Sequence, residues 1–297
     1  MTNLTYFFAG SASQLLGENM AILANASLGK WYLWQFSDGE IRPILQEKLN
    51  GATVVIIQST YPPAKHILEL LLLIDAAKNA GAQKVIVVTL YLGYMRQDRI
   101  HQAGEPHGAV LKCKLLSAAG ADELIVCHPH TQNLNLFFKG PIKQISSAPV
   151  FVNYLENLQL NNMCFVAPDS GAVAEAQSYA CYFNARLIKC HKIRHQPNQV
   201  KKVKIMGNIE NANAIIIDDI VDTGNTLCAV AHQLKKEGAR SVRALCTHPI
   251  LSGNAYDLLD NSHLEEIVVT NTIPLKYETK KIKVLDIAPL IVKAINQ

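Results

Sequence analysis

Short apolar runs rich in β-branched residues recur along this chain, separated by longer segments with helical spacing. The runs are "ATVVIIQST" (52–60), "KVIVVTLYL" (84–92), "ELIVCHPH" (123–130), "MCFVAPD" (163–169), "ARLIKCHK" (185–192), "AIIIDDI" (214–220), "SVRALCTHP" (241–249) and "EIVVTN" (266–271). Most gaps hold amphipathic stretches such as "HILELLLLIDAAKNAG" and "TLCAVAHQLKKEGA". Strands that are apolar along their length must be covered on both faces, and the intervening helices supply the cover. The pattern therefore predicts an α/β architecture of mostly parallel sheets flanked by helices. Two helices carry their own stop, a glycine behind a lysine-bearing last turn, in "AAKNAGAQ" and "LKKEGARS".

The phrases "NAGAQKVIVVTL" and "KEGARSVRALCTH" both read helix, glycine turn, strand. They point to two similar α/β domains, for which 297 residues suffice. The polar, Pro- and Gly-bearing "KGPIKQISSAPVF" marks the boundary and gives domains over 1–146 and 147–297. With 49% apolar and 18% charged residues the chain has a core to bury, which excludes a disordered protein. A net charge of +4 without any Lys/Arg block excludes a nucleic-acid-binding arm. No uncharged apolar run is long enough to span a bilayer, and "MTNLTYFFAGSASQLL" lacks the basic flank of a secretory leader. The seven cysteines are scattered and include no CxxC pair, which argues against a disulfide framework or zinc site. A reducing, cytoplasmic setting is expected, with no membrane partner.

The stretch "IIIDDIVDTGNTL" (215–227) ends an apolar strand in acid. In parallel sheets ligands bind beyond the carboxyl ends of the strands, where Asp218 and Asp219 fall. "VDTGNT" then turns into a helix starting near Leu227, and the amides of such a turn, with the helix dipole, cradle an anion. Thr223 and Thr226 add hydroxyl donors, Gly224 lets the backbone approach closely, and Asn225 tolerates left-handed angles. Carboxylates beside an anion make sense once a sugar is placed there: Asp218 and Asp219 accept from its hydroxyls while Asp222 caps the turn. The same residue types can merely end a strand and cap a helix. Two aspartates on so apolar a strand favour a phosphorylated sugar. The pattern resembles the motif shared by type I phosphoribosyltransferases and phosphoribosyl-pyrophosphate synthetases, and by itself it does not separate consumer from maker.

The rest of the chain does. From Phe36 onward it resembles the ribose-phosphate pyrophosphokinase family in "FSDGEI" (36–41), "ELLLLIDAAKNAGA" (69–82), "YMRQDR" (94–99), "AAGADELIV" (118–126), "APDSG" (167–171), "HKIR" (191–194), "DDIVDTGNT" (218–226) and "THPILSG" (247–253). The resemblance implies the type I phosphoribosyltransferase fold and transfer of the β,γ-diphosphoryl group of ATP to the C1 hydroxyl of ribose 5-phosphate, releasing AMP, with Mg²⁺. It assigns Lys192 and Arg194 to the transferred group, on a mobile flap continued by the strand-poor "HQPNQVKKV". Phe36, Asp38 and Glu40, expected to alternate along a strand and share one face, would meet the adenine of ATP, and Arg96 and Gln97 would also contact ATP. Asp169 and His130 match metal and ribose-phosphate contacts. ATP would lie between the domains, and sites shared across subunits imply a homo-oligomer built from dimers.

Several positions depart from the family pattern: His128 stands for an Asp, Ala64-Lys65-His66 for Asn-Asp-Asn, Val110 for a Lys, Ala172 for a Gly and Asn225 for a loop Gly. They bear on ATP affinity and metal choice and fall mostly outside the sugar loop and the Lys-x-Arg pair. Two other readings stay open at this point: a phosphoribosyltransferase that consumes phosphoribosyl pyrophosphate, and a non-catalytic synthetase-like regulatory subunit.

Overall fold

The computed structural model describes residues 4–131, 133–196 and 199–297, without the side chains of 192–202. The chain forms two compact units. One comprises residues 1–146 with 272–274 and 287–297, and the other residues 147–271 with 275–286.

The first unit runs β1 (Thr5–Ala9), α1 (Gln14–Leu23), β2 (Ser27–Leu28), β3 (Trp31–Gln35), β4 (Ile41–Leu45), β5 (Thr53–Ile57), α2 (Lys65–Asn79), β6 (Lys84–Thr89), α3 (Gly108–Ala119), β7 (Glu123–Cys127) and β8 (Ile142–Ile145). Its sheet has the order β2-β1-β5-β6-β7-β8, parallel throughout. Val54, Ile56, Val85, Val87, Leu124 and Val126 face a core closed by Leu70, Leu73 and Ile74 of α2 and by Cys113 and Leu116 of α3. The strands β3 and β4 form a separate antiparallel hairpin, which the Trp31 indole ties to β1 by donating to the Ala9 carbonyl at 2.9 Å.

The second unit continues with α4 (Ala148–Leu158), β9 (Met163–Ala167), α5 (Val173–Tyr182), β10 (Arg186–Gln196), β11 (Gln199–Met206), β12 (Asn213–Val221), α6 (Asn225–Lys236), β13 (Ser241–Pro249), α7 (Ala255–Asp260), β14 (Glu266–Thr270) and β15 (Ile282–Leu285). The order is β11-β10-β9-β12-β13-β14-β15, parallel except for β10 against β11. Alternation along β12 divides the core. Ala214 and Ile216 pack toward Leu227, Val230 and Leu234 of α6, and Ile215 and Ile217 pack with Phe151, Ala176 and Tyr179 of α4 and α5.

The α/β class and the parallel sheets are as the alternation predicts, and both helix stops adopt the left-handed conformation, at φ 90° for Gly81 and 92° for Gly238. Three expectations need correction. The last helix, α8 (Ala288–Ile295), belongs to the first unit, not to a domain over 147–297. Its buried Ile291 and Val292 face inward, and Lys143 of β8 donates to the Ala294 carbonyl at 3.0 Å, where a helix end presents unsatisfied acceptors. "HQPNQVKKV" is not strand-poor: β11 starts within it, at Gln199, and pairs antiparallel with β10. Phe36, Asp38 and Glu40 do not alternate along a strand but form the bend of the β3–β4 hairpin. There the Phe36 amide donates to Glu40 O at 2.9 Å and the Gly39 amide to Phe36 O at 3.0 Å. A glycine at φ 97° in "SDGE" closes the bend, a turn signal that outweighs the polar alternation.

Candidate functional site

On the second unit β12 is buried from Asn213 to Ile217 and half-buried at Asp218 and Asp219. Asp218 continues the face of Ile216, and Asp219 continues that of Ile217. The two carboxylates therefore flank the carboxyl end of the strand, where Asp218 Oδ1 also accepts the Asp219 amide at 3.1 Å. Asp218 is in register with Cys246 of β13. Burial, then the carboxylates of Asp218, Asp219 and Glu175, push the Cys246 thiol well above its ordinary range. Glu175, in the first turn of α5, is thus a third carboxylate in this field. Nothing in "AVAEAQ" sets it apart as one.

The loop after β12 is fixed from outside. The amides of Ile250 and Leu251 donate to Val221 O at 3.0 and 3.1 Å, and that of Ser252 to Asp222 O at 3.1 Å. The Ser252 hydroxyl donates to the Asp222 carboxylate. Gly224 is the N-cap of α6 at φ 76°. It has no side chain with which to cap the first turn, so the leading amides of α6 are presented to whatever anion binds there. An added Cβ at Gly224 would stand 3.1 Å from buried Leu259 of α7. The exposed Asn225 side chain donates to Thr223 Oγ1 at 3.1 Å, which orders one of the two loop hydroxyls. Asp218, Asp219, Asp222, Thr223, Gly224, Asn225 and Thr226 thus form one continuous strand-end loop.

Asp169, just beyond β9, lies at the start of the α5 region, where its Oδ1 accepts the amides of Gly171 and Ala172 at 3.1 and 3.3 Å. His130 is an exposed residue beyond the end of β7 in the first unit. It follows His128, whose amide donates to Ile145 O at 2.8 Å and whose φ is 39°. Among the described residues no three His, Cys, Asp or Glu side chains converge as a metal-holding group. The Asp169 carboxylate is an oxygen donor of the kind that suits Mg²⁺, which takes few protein ligands and completes its shell with water and substrate phosphates. Lys192 and Arg194 lie on the backbone of β10, and their side chains lie outside the described residues.

On the first unit, Phe36, Asp38 and Glu40 are exposed on the hairpin bend. Arg42 stacks its guanidinium 5.2 Å from the Phe36 ring centre, and Asp38 Oδ1 accepts the Glu40 amide at 3.0 Å. The exposed Arg96 and Gln97 follow a tight turn in which the Gln97 amide donates to Tyr94 O at 3.1 Å. The Ala109 amide of α3 donates to Gln97 O at 3.2 Å. His66, in the departing Ala64-Lys65-His66 segment, bonds Tyr61 O through Nδ1 at 2.8 Å and meets the Tyr61 ring edge-on.

Two mostly parallel α/β units, the second ending a central strand in an acidic, glycine-turned loop, define a protein of the type I phosphoribosyltransferase fold. Residues 5–120 match the N-terminal domain of ribose phosphate pyrophosphokinase, and residues 184–297 the phosphoribosyl synthetase-associated domain. The chain is 40% identical to the ribose-phosphate pyrophosphokinase of Oceanobacillus iheyensis over 297 residues, covering 99% of this chain and 93% of that one. It is 35% identical to that of Porphyromonas gingivalis over 291 residues, covering 98% and 93%. The crystal structure of phosphoribosylpyrophosphate synthetase from Mycobacterium smegmatis superposes with a TM-score of 0.93 at 30% identity, covering 99% and 98%. The chain belongs to the ribose-phosphate pyrophosphokinase family.

Proposed function

We infer that this protein makes 5-phosphoribosyl 1-pyrophosphate from ATP and ribose 5-phosphate. The C1 hydroxyl oxygen bonds to the β-phosphorus of ATP, the bridge from that phosphorus to the α-phosphate oxygen breaks, and AMP leaves as the hydroxyl gives up its proton. The observation that carries the reading is the strand-end loop from Asp218 to Thr226, in a chain similar over nearly its whole length to ribose-phosphate pyrophosphokinases. A transferase of this kind needs no nucleophile of its own. It needs an acceptor held in line and cations around the charge that builds on phosphoryl oxygens.

The loop supplies the first requirement. Amides at the start of α6 and the hydroxyls of Thr223 and Thr226 hold the 5-phosphate, and Asp218 and Asp219 hold the sugar hydroxyls and fix the position of C1. Lys192 and Arg194 supply positive charge to the transferred group. Phe36, Asp38 and Glu40 take the adenine, and Arg96 and Gln97 the phosphate side of ATP. When bound, Mg²⁺ would neutralise the phosphate oxygens, and Asp169 and His130 are the residues that would hold it or its ribose-phosphate ligand, water and substrate phosphates completing its shell. We place ATP recognition on residues 1–146 and sugar recognition on residues 147–286, in a homo-oligomeric cytoplasmic enzyme. Among the described residues no helix is long and apolar enough to cross a membrane.

The test incubates the purified protein with ATP, ribose 5-phosphate and Mg²⁺ and follows AMP. AMP release that requires ribose 5-phosphate supports the reading. Its absence across metals and phosphate concentrations overturns it in favour of a regulatory subunit, and pyrophosphate release from phosphoribosyl pyrophosphate plus a base would identify a consumer of that compound.

A further inference from the structure

Lys112 is 3% exposed. It occupies the inner face of α3 with Ala109, Cys113 and Leu116, all of them core residues. Among the described residues its amine meets no carboxylate; it donates to Thr60 Oγ1 and, at 3.1 Å, to Gly93 O. An amine buried without an anion is unfavourable unless its donors are used, so these two acceptors are what keep it there.

The two acceptors lie on opposite sides of one close contact. A Cβ at Gly93 would stand 2.4 Å from the Thr60 carbonyl oxygen, so the two backbones touch at this point. The Gly93 amide donates to Thr60 Oγ1 at 3.0 Å, and the Thr60 amide to Tyr91 O at 2.8 Å. Lys112 bridges this contact from below. The next residue, Tyr94, has φ 69°, a left-handed backbone that is unfavourable for an aromatic residue and persists only where its neighbours hold it. Its ring lies 6.0 Å from the Lys112 amine. Met95 is then buried and Arg96 exposed. The direction in which Arg96 and Gln97 leave the turn thus depends on a backbone reversal that begins at the carbonyl Lys112 holds.

We propose that Lys112 is a positioning residue for the nucleoside triphosphate: by bridging Thr60 Oγ1 and Gly93 O it locks the left-handed turn at Tyr94 and so presents Arg96 and Gln97 to the phosphates. The proposal rests on the ATP side of the function inferred above. It concerns a residue that touches neither substrate and acts through the turn.

The experiment compares the full-length protein with Lys112→Met, which keeps the length of the side chain and removes its donors, and with Thr60→Val, which removes the acceptor hydroxyl. KM for ATP and for ribose 5-phosphate is measured, together with affinity for a non-hydrolysable ATP analogue. The expected result is a rise of about tenfold or more in KM for ATP, matched by weaker analogue binding, with KM for ribose 5-phosphate unchanged. Thr60→Val should move the same two quantities in the same direction by a smaller factor. Unchanged ATP parameters, or equal losses for both substrates, overturn the proposal. If Lys112→Met fails to fold, Thr60→Val decides by the same criteria. A wild-type protein that binds the analogue but releases no AMP would overturn the inferred reaction, and weaker analogue binding by the variants would still support the role of Lys112.

Discussion

Gly224 and Gly238 stand at the two ends of α6, both at positive φ, 76° and 92°. Replacing each by alanine separates what the proposed sugar-phosphate loop requires from what any helix terminus requires. An L-residue in the left-handed region costs about 1–2 kcal/mol, and both variants carry that term. At Gly238 the added Cβ finds its nearest atoms, of Glu210, at 3.8 Å, an ordinary contact. At Gly224 it meets Leu259 Cδ2 and Cγ at 3.1 Å, and Leu259 is fully buried and cannot swing clear. Crowding of this kind adds about 1 kcal/mol or more. Gly238→Ala should therefore lose about 1–2 kcal/mol, and Gly224→Ala about 2–3 kcal/mol. At roughly 2–4 °C per kcal/mol for a unit near this size, Gly224→Ala should melt several degrees below Gly238→Ala.

The functional separation should be sharper. Gly224 is the N-cap from which the leading amides of α6 are aimed, so displacing it moves the cradle in which the proposed function seats the 5-phosphate. Gly224→Ala should raise KM for ribose 5-phosphate by about tenfold or more, leaving affinity for an ATP analogue unchanged. Gly238→Ala should leave both parameters at the wild-type value. Thermal melts and initial rates on the two variants give both comparisons. Equal KM for ribose 5-phosphate in the two variants would refute the assignment of the phosphate to this helix terminus. Equal melting would refute the role of Leu259 in the crowding.

Burial pushes the Lys112 amine down from 10.5 to about 7, so unfolding takes up a proton between those values and the protein gains stability as pH rises through that window. Relative to Lys112→Met, the wild type should gain about 2 kcal/mol between about pH 7 and pH 9 in denaturant melts, and a pH-independent difference would show that the amine does not titrate this way. Lys192→Ala should lower turnover by about a hundredfold or more and leave ribose 5-phosphate binding intact; comparable turnover would show that the β10 assignment is wrong. Excess chelator should abolish AMP formation, and Mg²⁺ should restore it; formation that persists would exclude a metal requirement.

Most strands readable from the sequence are dominated by fully buried residues; β10, read from "ARLIKCHK" with only Ile188 and Cys190 buried, and β1, missed although Phe7, Phe8 and Ala9 are buried, depart from that rule. The runs at 53–57, 84–89, 213–221 and 241–249 are the central strands β5, β6, β12 and β13, covered on two faces, and their apolar character is the direct record of that burial. The edge and hairpin elements leave no such record. The strand β8, "IKQI", is half-buried at every position. In β3, Tyr32 and Trp34 are exposed while Trp31 and Leu33 are half-buried, so apolar residues occupy both faces and alternation carries no signal. In β11, lysines occupy three of eight positions. The strand-end loop from Asp218 to Thr226 is legible for a different reason. Its requirements, an acidic strand end and a left-handed glycine at the start of a helix, fall within nine consecutive residues.

Lys112 shows where that local legibility stops and what would extend it. In "AVLKCKLL", Lys112 and Lys114 are the same residue type two positions apart, yet Lys114 is exposed and Lys112 is buried. Composition cannot separate them, but helical phase can: Ala109, Cys113 and Leu116 define an i, i+4, i+7 stripe, and position 112 falls on it while 114 does not. A lysine on an apolar stripe must either find acceptors or extend its head to solvent. The sequence stops at that choice, because the acceptors here, the Thr60 hydroxyl and the Gly93 carbonyl, come from the segments that follow β5 and β6. Parallel pairing brings those two strand ends side by side, so the topology that gathers loops at the carboxyl edge also assembles the acceptors that hold Lys112 beside the turn at Tyr94.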